Sequence, residues 1–339
     1  MSSQQPVRIG QIGTKHGHAR GKWQALVTNP DVETAGISEP DADARAAEQA
    51  SPAYAGARWC ASPDDLLADD SIQAVAIEGR NSESLAMAHA AIDAGKHLWY
   101  DKPAGDDWPG AQALIAKAQA RGRYIQMGYM FRYQPGFQQL AEWSRSGLLG
   151  EIFSIRAHMS TWIPVTGGPL SREGIGGAHR GGIFYVLAAH MLDQVVWHLG
   201  RPTKTTLFAQ NAHTPTVPSF PDNTLGVFEF DRALASIEIS AIEPRPPARR
   251  FEVYGTKGSA ITEPFDPGDT IRLALAEPAG EYAAGEQIIK LPTVTRQQMY
   301  ERELVAFLAV LRGAQSPDRS PEHELLVQET LLRATGRIA

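Results

Sequence analysis

Between residues 7 and 128, short apolar runs alternate with helix-length segments, and this alternation limits the fold more than any other feature of the chain. Val7–Ile12, Val32–Ser38, Arg58–Ala61, Gln73–Glu78, His97–Tyr100 and Tyr124–Gly128 each read as a short, largely buried strand. The intervening spacing predicts helices to about Thr28, over Ala42–Ala50, from Ser62, over Ser82–Ala94, and from about Trp108 to Arg121. Ser62-Pro63-Asp64-Asp65 has the serine, proline and first-turn carboxylates of a helix start. Six strands alternating with helices give an α/β doubly wound parallel sheet of the Rossmann kind.

The pattern changes after Gly128. A helix is predicted from about Pro135 to Ser146, and then strands follow one another: Ile152–Ser160, Lys204–Asn211, Thr224–Phe230, Ala233–Ser240, Arg250–Tyr254, Gly258–Thr262, Thr270–Leu275 and Gln287–Leu291. One long helix, Ile183–Leu199, interrupts them, and helices near Thr295–Leu311 and Pro321–Gly336 end the chain. This reads as an α+β domain with a large, mostly antiparallel open sheet. The expected division is therefore 1–128 for dinucleotide binding and 129–339 for substrate binding and dimerisation.

The chain has 339 residues, enough for two domains with sizeable cores. A net charge of −6 argues against a nucleic-acid partner. Cys60 stands alone, so no intrachain disulfide forms, and a reducing, cytoplasmic setting is expected. Residues 1–6 carry no apolar segment of a signal peptide, and no run approaches a membrane span.

Candidate site residues lie where open α/β sheets take ligands, at the carboxyl ends of strands. After the first strand, Gly13-Thr14-Lys15-His16-Gly17-His18 leads into a helix, the context for a dinucleotide pyrophosphate. Of G-x-G-x-x-G only Gly13 is kept; Lys15 and His18 occupy the other glycine places. Glu39, at the end of the second strand, is placed to take the ribose 2′-hydroxyl of NAD and to repel the 2′-phosphate of NADP, with Asp41 nearer to a helix cap. Glu78 and Arg80 close the fourth strand and either pair with each other or reach nicotinamide or substrate. Asp101-Lys102-Pro103 leaves the fifth strand, with Pro103 stiffening the turn that presents Lys102. A lysine buried there can move a proton. His158, Trp162, His179 and Tyr185 offer aromatic faces and donors suited to a sugar or polyol. No Cys/His cluster or H-E-x-x-H supports a metal; the competing arrangement is His190 and Asp193 at i, i+3 with His158 or His179.

The order of these parts resembles the glucose–fructose oxidoreductase / inositol dehydrogenase (Gfo/Idh/MocA) family along nearly the whole chain. Ile12-Gly13, Ala94-Gly95-Lys96-His97 before Asp101-Lys102-Pro103, Arg132 before Pro135, Gly147–Ile152, and Gly181-Gly182 with His190-Met191-Leu192-Asp193 carry the likeness. The resemblance implies an NAD(P)-dependent oxidoreductase acting on a sugar or polyol hydroxyl, with Lys102 and His190 catalytic and Asp101 positioning Lys102 or a ribose hydroxyl. It places Arg132 and Asp193 with the substrate, and implies a homodimer or homotetramer formed through the open sheet. The chain departs from the family at Val186, where many members carry an aspartate one turn before the histidine. Two other classes stay open: redox-assisted glycoside cleavage on tightly held NAD, and a ligand-binding relative without turnover.

Overall fold

A computed structural model describes residues 5–166, 181–213, 217 and 220–339, and the chain divides into two compact units. The first comprises residues up to Tyr129 together with Tyr300–Leu325. The second comprises Met130–Met299 and Leu326–Ala339. The segment 300–325, read from sequence as part of the second domain, folds with the first unit.

In the first unit, β1 (Val7–Ile12), β2 (Val32–Ser38), β3 (Ala74–Ile77), β4 (His97–Tyr100) and β5 (Ile125–Met127) form a parallel sheet in the order β2-β1-β3-β4-β5. Helices α1 (Ala19–Thr28), α2 (Ala42–Gln49), α3 (Asp64–Leu67), α4 (Asn81–Asp93) and α5 (Trp108–Ala120) connect them. The central strands are mostly apolar because a parallel sheet covered on both faces has no wet side; β3 and nearly all of β4 are buried, whereas β2 carries exposed Glu33 and Thr34. The sequence led us to expect a sixth strand at Arg58–Ala61. The structure reduces it to a single bridge, Ile37 with Trp59, flanking β2. Cys60 is buried there. Asp41 caps α2 through the amides of Asp43 and Ala44.

The second unit begins with a short 3-10 turn, Met130–Tyr133, and α6 (Pro135–Arg145). Strands β6 (Ile152–His158), β7 (Lys204–Gln210), β8 (Asn223–Glu229), β9 (Leu234–Ser240), β10 (Arg250–Gly255), β11 (Gly258–Thr262), β12 (Thr270–Leu275) and β13 (Gly285–Lys290) form one sheet. Its order is β13-β12-β11-β10-β6-β9-β8-β7, antiparallel except where β6 meets β9. Helix α7 (Gly182–Leu199) packs on β6, β8 and β9. The period-2 pattern sends Ile155, Ala157, Phe228, Ile237 and Ile239 to the buried face. Phe131, Phe137, Phe251 and Phe265 meet at ring centroids 5.0–5.7 Å apart. Registers place Phe208 opposite Leu225, and Ile288 opposite Arg272, on the other face, where Phe208, Leu225 and Ile288 are exposed. Helices α8 (Arg296–Leu311) and α9 (Pro321–Ala334) follow. Among the described residues no helix is long and apolar enough to cross a membrane.

Candidate active site

The carboxyl edge of the parallel sheet gathers the charged residues of the first unit. Gly13 follows β1 with φ +87°, and a Cβ there would stand 2.5 Å from the amide nitrogen of Gly79. The glycine turn is thus held against the turn after β3, and only glycine meets both demands. The Gly13 amide donates to the Ser38 carbonyl at 2.8 Å. Glu39, buried at the end of β2, turns inward: its Oε2 accepts from the Thr14 amide (2.7 Å) and hydroxyl (2.8 Å), and its Oε1 from the Asp41 amide (3.0 Å). A carboxylate has about four lone-pair sites, so one is left for a ribose hydroxyl. Lys15, in the second glycine place, bridges Asp41 at 2.9 Å and Glu83 at 3.1 Å. The cramped turn, the carboxylate after β2 and the ammonium of Lys15 together fit a dinucleotide.

Behind the turn lies a buried charge cluster. Lys22 on α1 is fully buried, with its Nζ 3.0 Å from both Glu78 and Asp101 and 4.5 Å from the centroid of Trp99. The cluster continues through His18 Nδ1, 3.0 Å from Asp101 Oδ2, and His16 Nδ1, 3.4 Å from Asp101 and 3.5 Å from Glu78. A Cβ on Gly128 would come within 2.9 Å of both the Asp101 carboxyl and Lys22 Nζ, so a side chain here would displace that contact. Asp101 Oδ1 accepts the Lys102 amide at 2.8 Å, which ties the buried Lys102 to the cluster.

The cluster sets the protonation of its members. Burial opposes charge on Lys22, but Asp101, Glu78 and Glu303 outweigh it and hold the ammonium firmly protonated. Burial pushes Glu78 up, with Lys22 partly offsetting it. Burial works the same way on Asp101, but His16, His18 and Lys22 overcome it and hold its carboxyl well below the usual range. At His16 burial loses to Asp101 and Glu78, and the pKa rises to about 9. The His18 amide, 3.2 Å from His16 Nδ1, opposes that proton, but a single dipole counts for less than two carboxylates. At His18 burial wins over Asp101, helped by repulsion from His16 and Lys102, and the pKa falls to about 3. His16, His18 and Asp101 are also spaced as metal ligands could be, but the Lys22 ammonium on Asp101 already supplies the positive charge.

Three sequence expectations need correction. Glu78 does not pair with Arg80 or face a ligand; both its oxygens are buried against Lys22 and His16, while Arg80 is exposed at the start of α4. In the second unit, Arg132 and Asp193 hold each other. Arg132 Nε lies 3.1 and 3.0 Å from the two Asp193 oxygens and Nη2 lies 2.6 Å from Oδ1, all buried. Gln194 Nε2 donates to the same carboxylate at 3.0 Å. The pair fastens the Met130–Tyr133 turn to α7, and the guanidinium neutralises the Asp193 carboxylate that the metal arrangement would need. His158 projects from the exposed face of the sheet, opposite α7, toward Glu243 (2.6 Å) and Glu238 (3.3 Å). The register separates it from His190, which lies buried on α7 with the ring centroid of Phe131 5.1 Å from its own.

Tyr185 is buried on α7, and Trp162 is half exposed beyond β6. His179 lies outside the described residues. Lys22 was missed by the sequence reading, although the signal was present. It occupies a stripe position of α1, between Ala19, Trp23, Ala25 and Leu26, where an apolar residue belongs.

Comparison with known proteins places these features. Residues 7–129 match the oxidoreductase-family model for an NAD-binding Rossmann fold, and residues 137–261 match the GFO/IDH/MocA C-terminal domain. An uncharacterized oxidoreductase of Rhizobium meliloti is 29% identical over 322 residues, covering 91% of this chain and 89% of its own. The scyllo-inositol 2-dehydrogenase (NAD(+)) of Bacillus subtilis (strain 168) is 27% identical over 256 residues, covering 74% and 70%. The structure of the UDP-N-acetylglucosamine 3-dehydrogenase GnnA from Acidithiobacillus ferrooxidans superposes with a TM-score of 0.78 at 22% identity, covering 99% and 98%.

Two outcomes follow for the cluster. Lys22→Met should lower the unfolding free energy by about 3–5 kcal/mol in urea denaturation, because two buried carboxylates lose their cation. Adding Glu78→Gln should restore at least a third of the loss; a double variant no more stable than the single one would dissociate Lys22 from Glu78. In ring-nitrogen NMR, His16 should titrate near pH 9 and His18 should stay neutral down to about pH 3. Because the folded His16 binds its proton more tightly, its contribution to stability is whole below about pH 6.5 and is lost as pH rises through 9. At about 1.4 kcal/mol per pKa unit the loss is a few kcal/mol at most. His18 acts in the opposite sense, and stability drops as pH falls below 6.5 toward 3. A His16 resonance titrating at 6.5 or lower would overturn the assignment.

Proposed function

The chain belongs to the Gfo/Idh/MocA family of oxidoreductases, and from that premise we propose that it transfers hydride between NAD and a secondary hydroxyl of a sugar or polyol. The observation that carries this reading is Lys102, buried at the carboxyl end of β4 with its amide fixed by an Asp101 that three basic side chains hold ionised. A lysine anchored on a stiff, charge-braced strand end can hold a hydroxyl proton at a constant position while the carbon beneath it changes oxidation state. The relatives named as inositol and nucleotide-sugar dehydrogenases support a carbohydrate substrate.

The nicotinamide, when bound, supplies the hydride acceptor or donor. Gly13 and Lys15 hold the pyrophosphate side and Glu39 the ribose. Glu39 and Asp41 together set a negative field at the end of β2, which favours NAD over NADP. Lys102 is the first unit's candidate for polarising the substrate hydroxyl, and His190 is the second unit's acid–base candidate. Val186 leaves His190 without a carboxylate one turn earlier. This supports a second reading, in which NAD stays bound and oxidation is transient, ending in glycoside cleavage. The open face of the second sheet, with Phe208, Leu225 and Ile288 exposed, supports assembly of copies of this chain through that face.

A panel of sugars and polyols with free NAD should give a 340 nm absorbance change, and Lys102→Met should reduce kcat at least a thousandfold with unchanged urea stability. Release of aglycone without net NADH would favour the second reading, and full activity in Lys102→Met would remove that residue from the mechanism. Light scattering should report a dimer or tetramer that Phe208→Lys with Leu225→Lys converts to smaller species; a monomeric parent protein would end the assembly proposal.

A further inference from the structure

At the amino-terminal edge of the parallel sheet, opposite the edge bearing Gly13, Glu39 and Asp101, lies a cavity of about 580 Å³. This is within the size range of small-molecule sites. Val7 and Ile72 form its apolar wall, and Lys96, His97, Arg123 and Arg312 give it a basic one. Asp70 is the carboxylate on that wall. The neighbouring acids are engaged: Asp31 with Arg312 at 3.1 Å, and Asp69 with Arg8 at 3.3 Å. Lys96 is buried and gives one of its three hydrogens to the Asp69 carbonyl at 2.7 Å. Arg123 Nε donates to the Arg121 carbonyl at 3.1 Å, and no carboxylate lies within ion-pair distance of Arg123 among the described residues.

His97 makes this wall chemically incomplete. The Tyr124 amide donates to its Nδ1 at 2.9 Å. Burial and the adjacent Arg123 hold its pKa down to about 4, so at neutral pH the ring carries one proton. With Nδ1 accepting, that proton belongs to Nε2. Yet Nε2 faces an Arg123 Nη1–H at 3.4 Å. Two hydrogen-bond donors therefore point at each other across the cavity wall. Both would be satisfied by an acceptor beside them, and an anionic acceptor would also offset the guanidinium charge.

We propose that this cavity is a binding site for a small organic anion, with a phosphoryl or carboxylate group held between Arg123 and His97 Nε2–H. Arg312 and Lys96 supply the longer-range positive field, and the apolar wall of Val7 and Ile72 receives the rest of the molecule. The site lies at the opposite edge of the parallel sheet from Gly13, Glu39 and Asp101, so an occupant would be a further ligand rather than a competitor for that edge.

The test uses the full-length protein without cofactor, with inorganic phosphate and succinate as probes and chloride at matched ionic strength as the control. The expected result is a saturable change at the His97 ring nitrogens in NMR, with the Nε2–H tautomer retained, the His97 pKa raised by at least one unit, and a rise in melting temperature. Arg123→Gln should weaken the midpoint at least tenfold; Arg121→Gln, which alters a neighbouring exposed arginine, should leave it unchanged. Response to one probe and not the other identifies the anionic group. The proposal fails if His97 does not respond to either probe beyond the chloride control, or if Arg123→Gln responds like the parent. Because the readout is His97 and not turnover, failure here leaves the dehydrogenase reading intact, and loss of the dehydrogenase reading leaves this one intact.

Discussion

One fully buried ammonium holds the first unit's working edge together. Lys22 reaches from α1 beneath the sheet's carboxyl edge to the carboxylates that end β3 and β4, each 3.0 Å away. An isolated charge buried this deeply would cost many kcal/mol, and so would either carboxylate alone. Together, with His16 and His18 drawn onto Asp101, they offset one another's charge. The arrangement sets the position of α1, the glycine turn preceding it and the ends of two strands at once. It also explains glycine at 128, where any side chain would strike the Asp101–Lys22 contact.

The electrostatic consequence reaches the residue assigned to chemistry. Asp101 remains an anion at any ordinary pH because burial, which would favour its neutral form, is overcome by His16, His18 and Lys22. One of its oxygens is turned outward to the Lys102 amide and the other inward to the cluster. Lys102 is thereby fixed at its backbone. Two neighbouring imidazoles sharing one carboxylate are driven apart in proton affinity, with one charged and one neutral at physiological pH. Such separation is the usual mark of a functional edge. The second unit uses a different device for the same end: the Arg132–Asp193 pair locks the turn after β5 to α7 and so sets the register of the helix that carries His190.

Much of the architecture was legible because it rests on periodicity. Buried parallel strands are short apolar runs, the open sheet alternates, and both signals survive without tertiary knowledge. Asp41 as a cap was local chemistry and came out as read. Arg58–Ala61 failed as a strand because a flanking segment needs a partner to pair along its length, and only Trp59 meets one. The site was legible as a set of positions at strand ends, but the partnerships within it were not. Glu78 and Arg80, two residues apart, read as a pair; the actual partner of Glu78 lies 56 residues earlier in the chain.

The sequence by itself determined the two kinds of sheet and the positions of Gly13, Glu39 and Lys102 at strand ends, because these depend on hydrophobic period and local turn chemistry. Only the tertiary structure decided which charges face which. It put Lys22 under Asp101, closed Arg132 on Asp193, turned His158 to the exposed face of its sheet, and set Arg123 against His97. The physical reason is range. Secondary structure is specified by neighbours within a turn or two, whereas the protonation and pairing of a buried charge depend on whatever other polar groups folding brings within a few ångströms, from anywhere in the chain.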